Sequence, residues 1–310
     1  MELGLVTQKF AVESRARVDS QEASAIENTD RWLCGKMNVM ELSVFDCDIR
    51  VECMDRQAES LLNSNYGWFK QPVEDAQITY RITRQRAVEG RLIARNGGYP
   101  EFARDDGDFL YMFEKDMTIE TQKLRPDLYF VHAAVLELDG RALALVAPSG
   151  YGKSTTTWGL LHHGFKYLSD ELAPVHLTTM QVHPFPHALC LKAVPPNGYP
   201  LPKETIYTTV TAHVPTPFVP CETTMETIPL KAIFFVRFIG AISEPVLKPI
   251  GKAAAAARLF TNALNPLAHT GDGLDGAIEI VLKTRCFELL SSNLKPTCEL
   301  IKSTFLSILS

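Results

Sequence analysis

A chain of 310 residues that is 46% hydrophobic and 22% charged can bury one large core or two modest ones. Its net charge of −5 has the wrong sign for holding nucleic acid or an acidic membrane surface, so neither is expected as a partner. No apolar run approaches the ~18 residues of a membrane span, and the first residues lack the basic start and apolar core of a secretion signal. The seven cysteines are odd in number and scattered, without a Cys-x-x-Cys pair. This combination predicts free thiols in a reducing cytoplasm rather than a disulfide frame or a zinc site.

Residues 1–37 are polar and weakly patterned, which predicts a poorly packed, partly disordered leader. Residues 38–125 are expected to form a small β-rich region. Within it, Glu41 to Glu52 alternates apolar and polar residues and reads as one strand. Ala58 to Tyr66 fits a short helix, and 76–83 and 91–95 are strand-like. Asn96-Gly97-Gly98 and Arg104-Asp105-Asp106-Gly107-Asp108 both read as turns.

Residues 126–310 carry the chemistry. Two apolar runs, one from Leu128 and one from Arg141, meet at Asp139-Gly140, a strong hairpin signal. The second run leads into Ala147-Pro148-Ser149-Gly150-Tyr151-Gly152-Lys153-Ser154-Thr155, which fits the phosphate-binding P-loop with Ala147 in place of its first glycine. A helix-like run from Ser154 to His163 follows, and Gly164 is placed to end it. Gly150 and Gly152 let the backbone curl and aim N–H groups at phosphate oxygens, and the helix start adds partial positive charge. The expected nucleotide contacts are Ser149, Gly150, Tyr151, Gly152, Lys153, Ser154 and Thr155. Lys153 would reach the β- and γ-phosphates of ATP, and the Ser154 hydroxyl would bind Mg²⁺.

Phe165 to Val175 reads as one strand carrying Asp170 and Glu171 near its middle. The acids follow Lys153 by one helix and one turn. A strand beside the P-loop strand would bring Asp170 to the Mg²⁺ and γ-phosphate. Nine prolines between Pro184 and Pro220 predict a long irregular excursion. Structure resumes with a buried strand at 230–238, helices at 252–260 and 275–283, a strand at 285–290 and a closing amphipathic helix at 296–309. His183 and His187 have metal-like spacing, but an extended Pro-Phe-Pro segment would not present both rings on one face. Arg237 is able to meet a phosphate or to form a structural ion pair, and Lys192, after the Pro-Phe-Pro element, to approach the acceptor or the nucleotide.

Val131-His132, the Asp139-Gly140 hairpin, Ala147 to Thr155, Gly164-Phe165, Leu168 to Val175 and Pro184-Phe185-Pro186 together resemble the catalytic domain of HPr serine kinases. They resemble more closely the HPr-kinase-related kinases of bacterial gene clusters, some of which modify precursor peptides. The likeness is clear over 129–192 and weak to the C-terminus. It implies an α/β P-loop kinase domain of the HPr-kinase and phosphoenolpyruvate-carboxykinase type, with ATP and Mg²⁺ as cofactors. It implies that His132 lies beside the transferring phosphate, that Asp170 is the base toward the acceptor hydroxyl, and that Glu171 assists metal binding. It suggests a serine on a peptide or protein as acceptor, and self-association. The chain departs from the pattern in having Asp-Glu rather than Asp-Asp, in Ala133 after the histidine, and in lacking the family's later glutamate signature, for which Glu222 and Glu226 are the substitutes at hand. Two other functions fit the same residues: an ATP-binding regulatory module without transfer, and a small-molecule hydroxyl kinase.

Overall fold

The computed structural model describes residues 37–85 and 89–309. The leader expected over 1–37 therefore lies, apart from Met37, outside the described residues. The segment expected to be one strand from Glu41 is a hairpin instead: β1 (Asn38–Val44) and β2 (Cys47–Cys53) pair antiparallel through Phe45 and Asp46, with φ of 52° and 61°. Nothing in that dipeptide signals a turn, and positive φ is costly for a bulky residue. Tertiary contacts hold it. The Phe45 ring packs on Phe130 and Phe185, and Arg125 bonds the Phe45 carbonyl and the Asp46 carboxylate.

Helix α1 (Arg56–Tyr66) starts at Asp55, whose carboxylate accepts from Gln57 N at 2.9 Å and also takes the buried Arg91 guanidinium at 2.7 Å. It crosses over to β3 (Ile78–Gln85), which runs parallel to β2, and β4 (Gly90–Arg95) and β5 (Glu101–Ala103) complete a five-stranded sheet. The expected turn at 104–108 holds the start of a 19-residue helix, α2 (Asp106–Leu124). Asp105 caps it by accepting from Asp108 N at 2.8 Å, and acids fill its first turn. The same Asp-rich composition serves turns and N-caps alike. Phe109, Leu110, Phe113 and Met117 bury its inner face on the sheet.

Asp139 and Gly140, both at positive φ, join β6 (Leu128–Leu138) to β7 (Arg141–Val146) in the expected hairpin. Helix α3 (Lys153–His162) follows the loop, and Gly164 at φ 90° ends it. The segment expected as one strand after it is two, β8 (Lys166–Ser169) and β9 (Leu172–His176), with Asp170 and Glu171 at the break. Both halves pair with β6, so β6 separates them from β7, the strand that leads into the glycine-rich loop. Strand β10 (Gln181–Val182) pairs with β9 and with Ile228 and Pro229, where a later strand begins. The proline-rich stretch is not wholly irregular: β11 (Leu189–Leu191), β12 (Ile206–Tyr207) and β13 (Ala212–Val214) form a small sheet there.

The centre of the large sheet is parallel. Strand β14 (Ile228–Phe238) lies between β7 and β16 (Arg285–Ser291), with β15 (Val246–Pro249) on the edge. Helices α4 (Lys252–Phe260) and α5 (Leu274–Lys283) cover one face through Ala255, Leu259, Ala277 and Ile280. α3 and α6 (Leu294–Leu309) cover the other through Trp158, Leu161, Cys298, Ile301 and Phe305. The result is a mixed α/β protein whose central strands are buried on both sides, the arrangement parallel sheets require.

Candidate active site

The carboxyl ends of β7, β14 and β16 gather at one edge of the sheet, where open parallel sheets place ligands. The loop 147–152 leaves β7 there. Gly150 and Gly152 sit at φ 85° and 92°, and Lys153 is the first residue of α3. A side chain at Gly152 would lie 3.2 Å from the Phe238 Cβ, so the end of β14 presses on the loop. Phe238 N also donates to Tyr151 O at 3.1 Å. Tyr151 and Phe238 are both exposed beside this contact. Ser149 and Gly150 are exposed as well, and Ser154 and Thr155 are half-buried at the helix start.

Lys153 is buried, and its Nζ points across β6 to the break between β8 and β9. It donates to the Asp170 carbonyl at 2.6 Å and to Glu171 Oε2 at 3.3 Å, and lies 3.1 Å from His132 Nε2. His132 Nε2 is also 2.9 Å from Glu171 Oε2. One ring nitrogen cannot donate and accept at once. With its proton, Nε2 donates to Glu171; without it, it accepts from Lys153. The break in the strand is what makes this cluster. It turns the Asp170 carbonyl toward Lys153 and leaves Glu171 one-third exposed beside His132.

Asp170 is fully buried, and neither carboxylate oxygen has a hydrogen-bond partner among the described residues. Burial pushes its carboxyl up to about 6, against the opposing charge of Lys153 and the nearby Ser154 hydroxyl. Glu171 moves the other way. Its partial burial is outweighed by the His132 hydrogen bond and the Lys153 charge, which hold it well below the usual carboxylate range. Two adjacent acids are thus driven apart, the pattern of an acid–base site. Orphaned buried polar atoms at Tyr167 and Ser291 are further uncompensated groups.

The expected residues His132, Lys153, Asp170 and Glu171 come together directly. The geometry of Glu171 differs from a plain metal ligand, because its carboxylate is engaged by His132 and Lys153. Among the described residues no group of three or more His, Cys, Asp and Glu side chains is arranged to hold a metal. A cation would need hydroxyl and phosphate oxygens too, as Mg²⁺ commonly does. Glu222 does not supply the missing acid: it is exposed and pairs with Lys166 at the start of β8, the end away from Asp170. His187 lies buried 3.6 Å from Glu114. His162 and His163 pack on Tyr199. Arg237 is exposed at the end of β14. The contact that sequence reasoning left open is Lys192, whose Nζ donates to Ser149 Oγ at 2.6 Å. Phe238 carried no local signal at all, since its place beside the loop follows from strand order.

No protein-family model matches this sequence, and no curated protein matches it. Among solved structures the chain is similar to the Hpr(Ser) kinase/phosphatase from Coxiella burnetii, at 12% sequence identity and a TM-score of 0.31, over 58% of this chain and 99% of that one. Among the described residues no helix is long and apolar enough to cross a membrane.

Proposed function

We propose that this protein is an ATP-dependent kinase that transfers the γ-phosphate to a hydroxyl, with a serine of a peptide or protein as the acceptor. The observation that carries the reading is Asp170: a buried carboxylate raised toward neutrality, with the Ser154 hydroxyl as its nearby polar neighbour, behind the lysine of a P-loop. A serine hydroxyl is a weak nucleophile at neutral pH, and a carboxylate near pKa 6 can take its proton as it attacks. A nucleotide-binding module without transfer has no use for such a base.

The loop backbone and the start of α3 would cradle the phosphates. Lys153 is positioned to neutralise charge at the reacting end, and His132 and Glu171 orient it there. Mg²⁺ fits the donors present, because Ser154, Asp170 and Glu171 offer hard oxygens and Asp170 has two unpaired ones. When bound it would screen the phosphate oxygens. With its two oxygens Asp170 can serve both the cation and the acceptor hydroxyl. The test is transfer of labelled γ-phosphate from ATP to a panel of serine peptides, proteins and small alcohols, comparing the parent with Asp170→Asn. No transfer to any acceptor from the parent would leave a regulatory nucleotide module in place of a kinase. Transfer to small alcohols alone would make it a small-molecule kinase.

A further inference from the structure

Lys192 is exposed, yet its ammonium rests on the Ser149 hydroxyl at 2.6 Å, at the opening of the loop. Its root is rigid. Leu189 and Leu191, just before it, are buried in the core with Trp158 and Leu160 of α3, and β11 is paired to β13. Only the side chain is free to move. Among the described residues no carboxylate lies in ion-pair range of it, so its charge is held against a neutral hydroxyl. An unneutralised ammonium beside backbone N–H groups favours an anion between them.

Resting on the kinase reading above, we propose that Lys192 is a phosphate-binding residue that leaves Ser149 when ATP binds and pairs with the terminal phosphate. Loss of the γ-phosphate on transfer removes the partner, and the side chain returns to Ser149.

The experiment is calorimetric titration of the full chain with ATP, ADP and AMP in the presence of Mg²⁺, for the parent, Lys192→Ala, Lys192→Met, Lys192→Arg and Lys203→Ala. Losing one charge-assisted hydrogen bond should weaken ATP by about tenfold to a hundredfold. ADP should change by less than about threefold and AMP not at all, because neither carries the terminal phosphate. Lys192→Met, which keeps most of the apolar stem, should match the alanine variant, and Lys192→Arg should stay near the parent. Lys203, exposed in the same segment, is the control for loss of charge alone. Thermal unfolding should be unchanged in all four variants, since both lysines are exposed. Parent-like ATP affinity in Lys192→Ala and Lys192→Met, or equal losses for ATP and ADP, overturns the role of Lys192 and leaves the kinase reading standing. A parent that binds no ATP takes both down together.

Discussion

Replacing Asp170 with asparagine should make the protein less active and more stable at neutral pH. The ordinary value of the Asp170 carboxyl is 3.8, and burial raises it to about 6. In the unfolded chain the group is ionised above its ordinary value, whereas in the folded protein it holds its proton until about 6. Between these values the folded state binds the extra proton, so its stability falls as pH rises through the window and is flat above it. Roughly two units at 1.36 kcal/mol each put the cost of the buried charge at about 3 kcal/mol above the window. Asparagine removes that cost but leaves an unpaired amide worth about 1–2 kcal/mol. The net gain is about 1–2 kcal/mol, or roughly 1.5–3 °C in Tm for a chain of this size. Differential scanning calorimetry of parent and variant at pH 4.5 and 7.5, without nucleotide, reads this directly. The variant should unfold higher at pH 7.5 and lose the advantage at 4.5. Turnover should fall by at least ~10², the lower end of what a general base contributes. A variant less stable than the parent at pH 7.5, or a difference that does not change with pH, refutes the account of Asp170 as a strained buried acid.

Lys153→Ala removes the cation that joins Asp170 O, Glu171 and His132, and ATP binding measured by calorimetry should weaken by at least about tenfold. Glu171→Gln keeps the shape but weakens its bonds to His132 and Lys153, so kcat should drop by about tenfold or more while the Kd for ATP changes little. Gly159→Ala places a methyl 2.7 Å from Cys298 Sγ and from Leu294 Cδ1. Urea unfolding should show a loss of about 1–3 kcal/mol from overpacking, partly recovered by adding Cys298→Ala. Trp158→Phe leaves the Tyr199 carbonyl without its 3.0 Å donor and should cost about 1–3 kcal/mol in the same assay.

The parts of the fold legible in the sequence were those set by local chemistry. Asp139-Gly140 suits a two-residue hairpin whatever surrounds it, and a glycine-rich loop between an apolar run and a helical run has few other structures open to it. The misreadings have one origin, tertiary contact overriding a local pattern. Phe45 turns the chain at positive φ because Phe130 and Phe185 take its ring. Asp105 begins a helix because the sheet below accepts Phe109 and Phe113. The strand carrying Asp170 and Glu171 breaks because each half meets a different part of β6. The site followed the same division. The types and spacing of His132, Lys153, Asp170 and Glu171 were readable, but the buried, unpaired state of Asp170 and the engagement of Glu171 were not. Lys192 sits 43 residues from its partner Ser149, and no pattern in one sequence joins them.

The aromatic knot of Phe45, Phe130 and Phe185 bears on how the protein can be handled. Leu128, Phe130, Leu172 and Phe185 belong to the same core as the five-stranded sheet and α1 and α2, and Ala188 N donates to Asn65 O at 3.0 Å across the join. Cutting the chain near residue 125 to isolate the part that carries the glycine-rich loop would uncover these rings and the backbone groups beside them. The shortened protein should be sticky: recovered in inclusion bodies, or soluble only as aggregates that bind hydrophobic dyes. The two parts, expressed together as separate chains, should restore solubility to each other. The join would then behave as a subunit interface, and loss of nucleotide binding in any shortened form would report on this exposed surface before it reported on the loop.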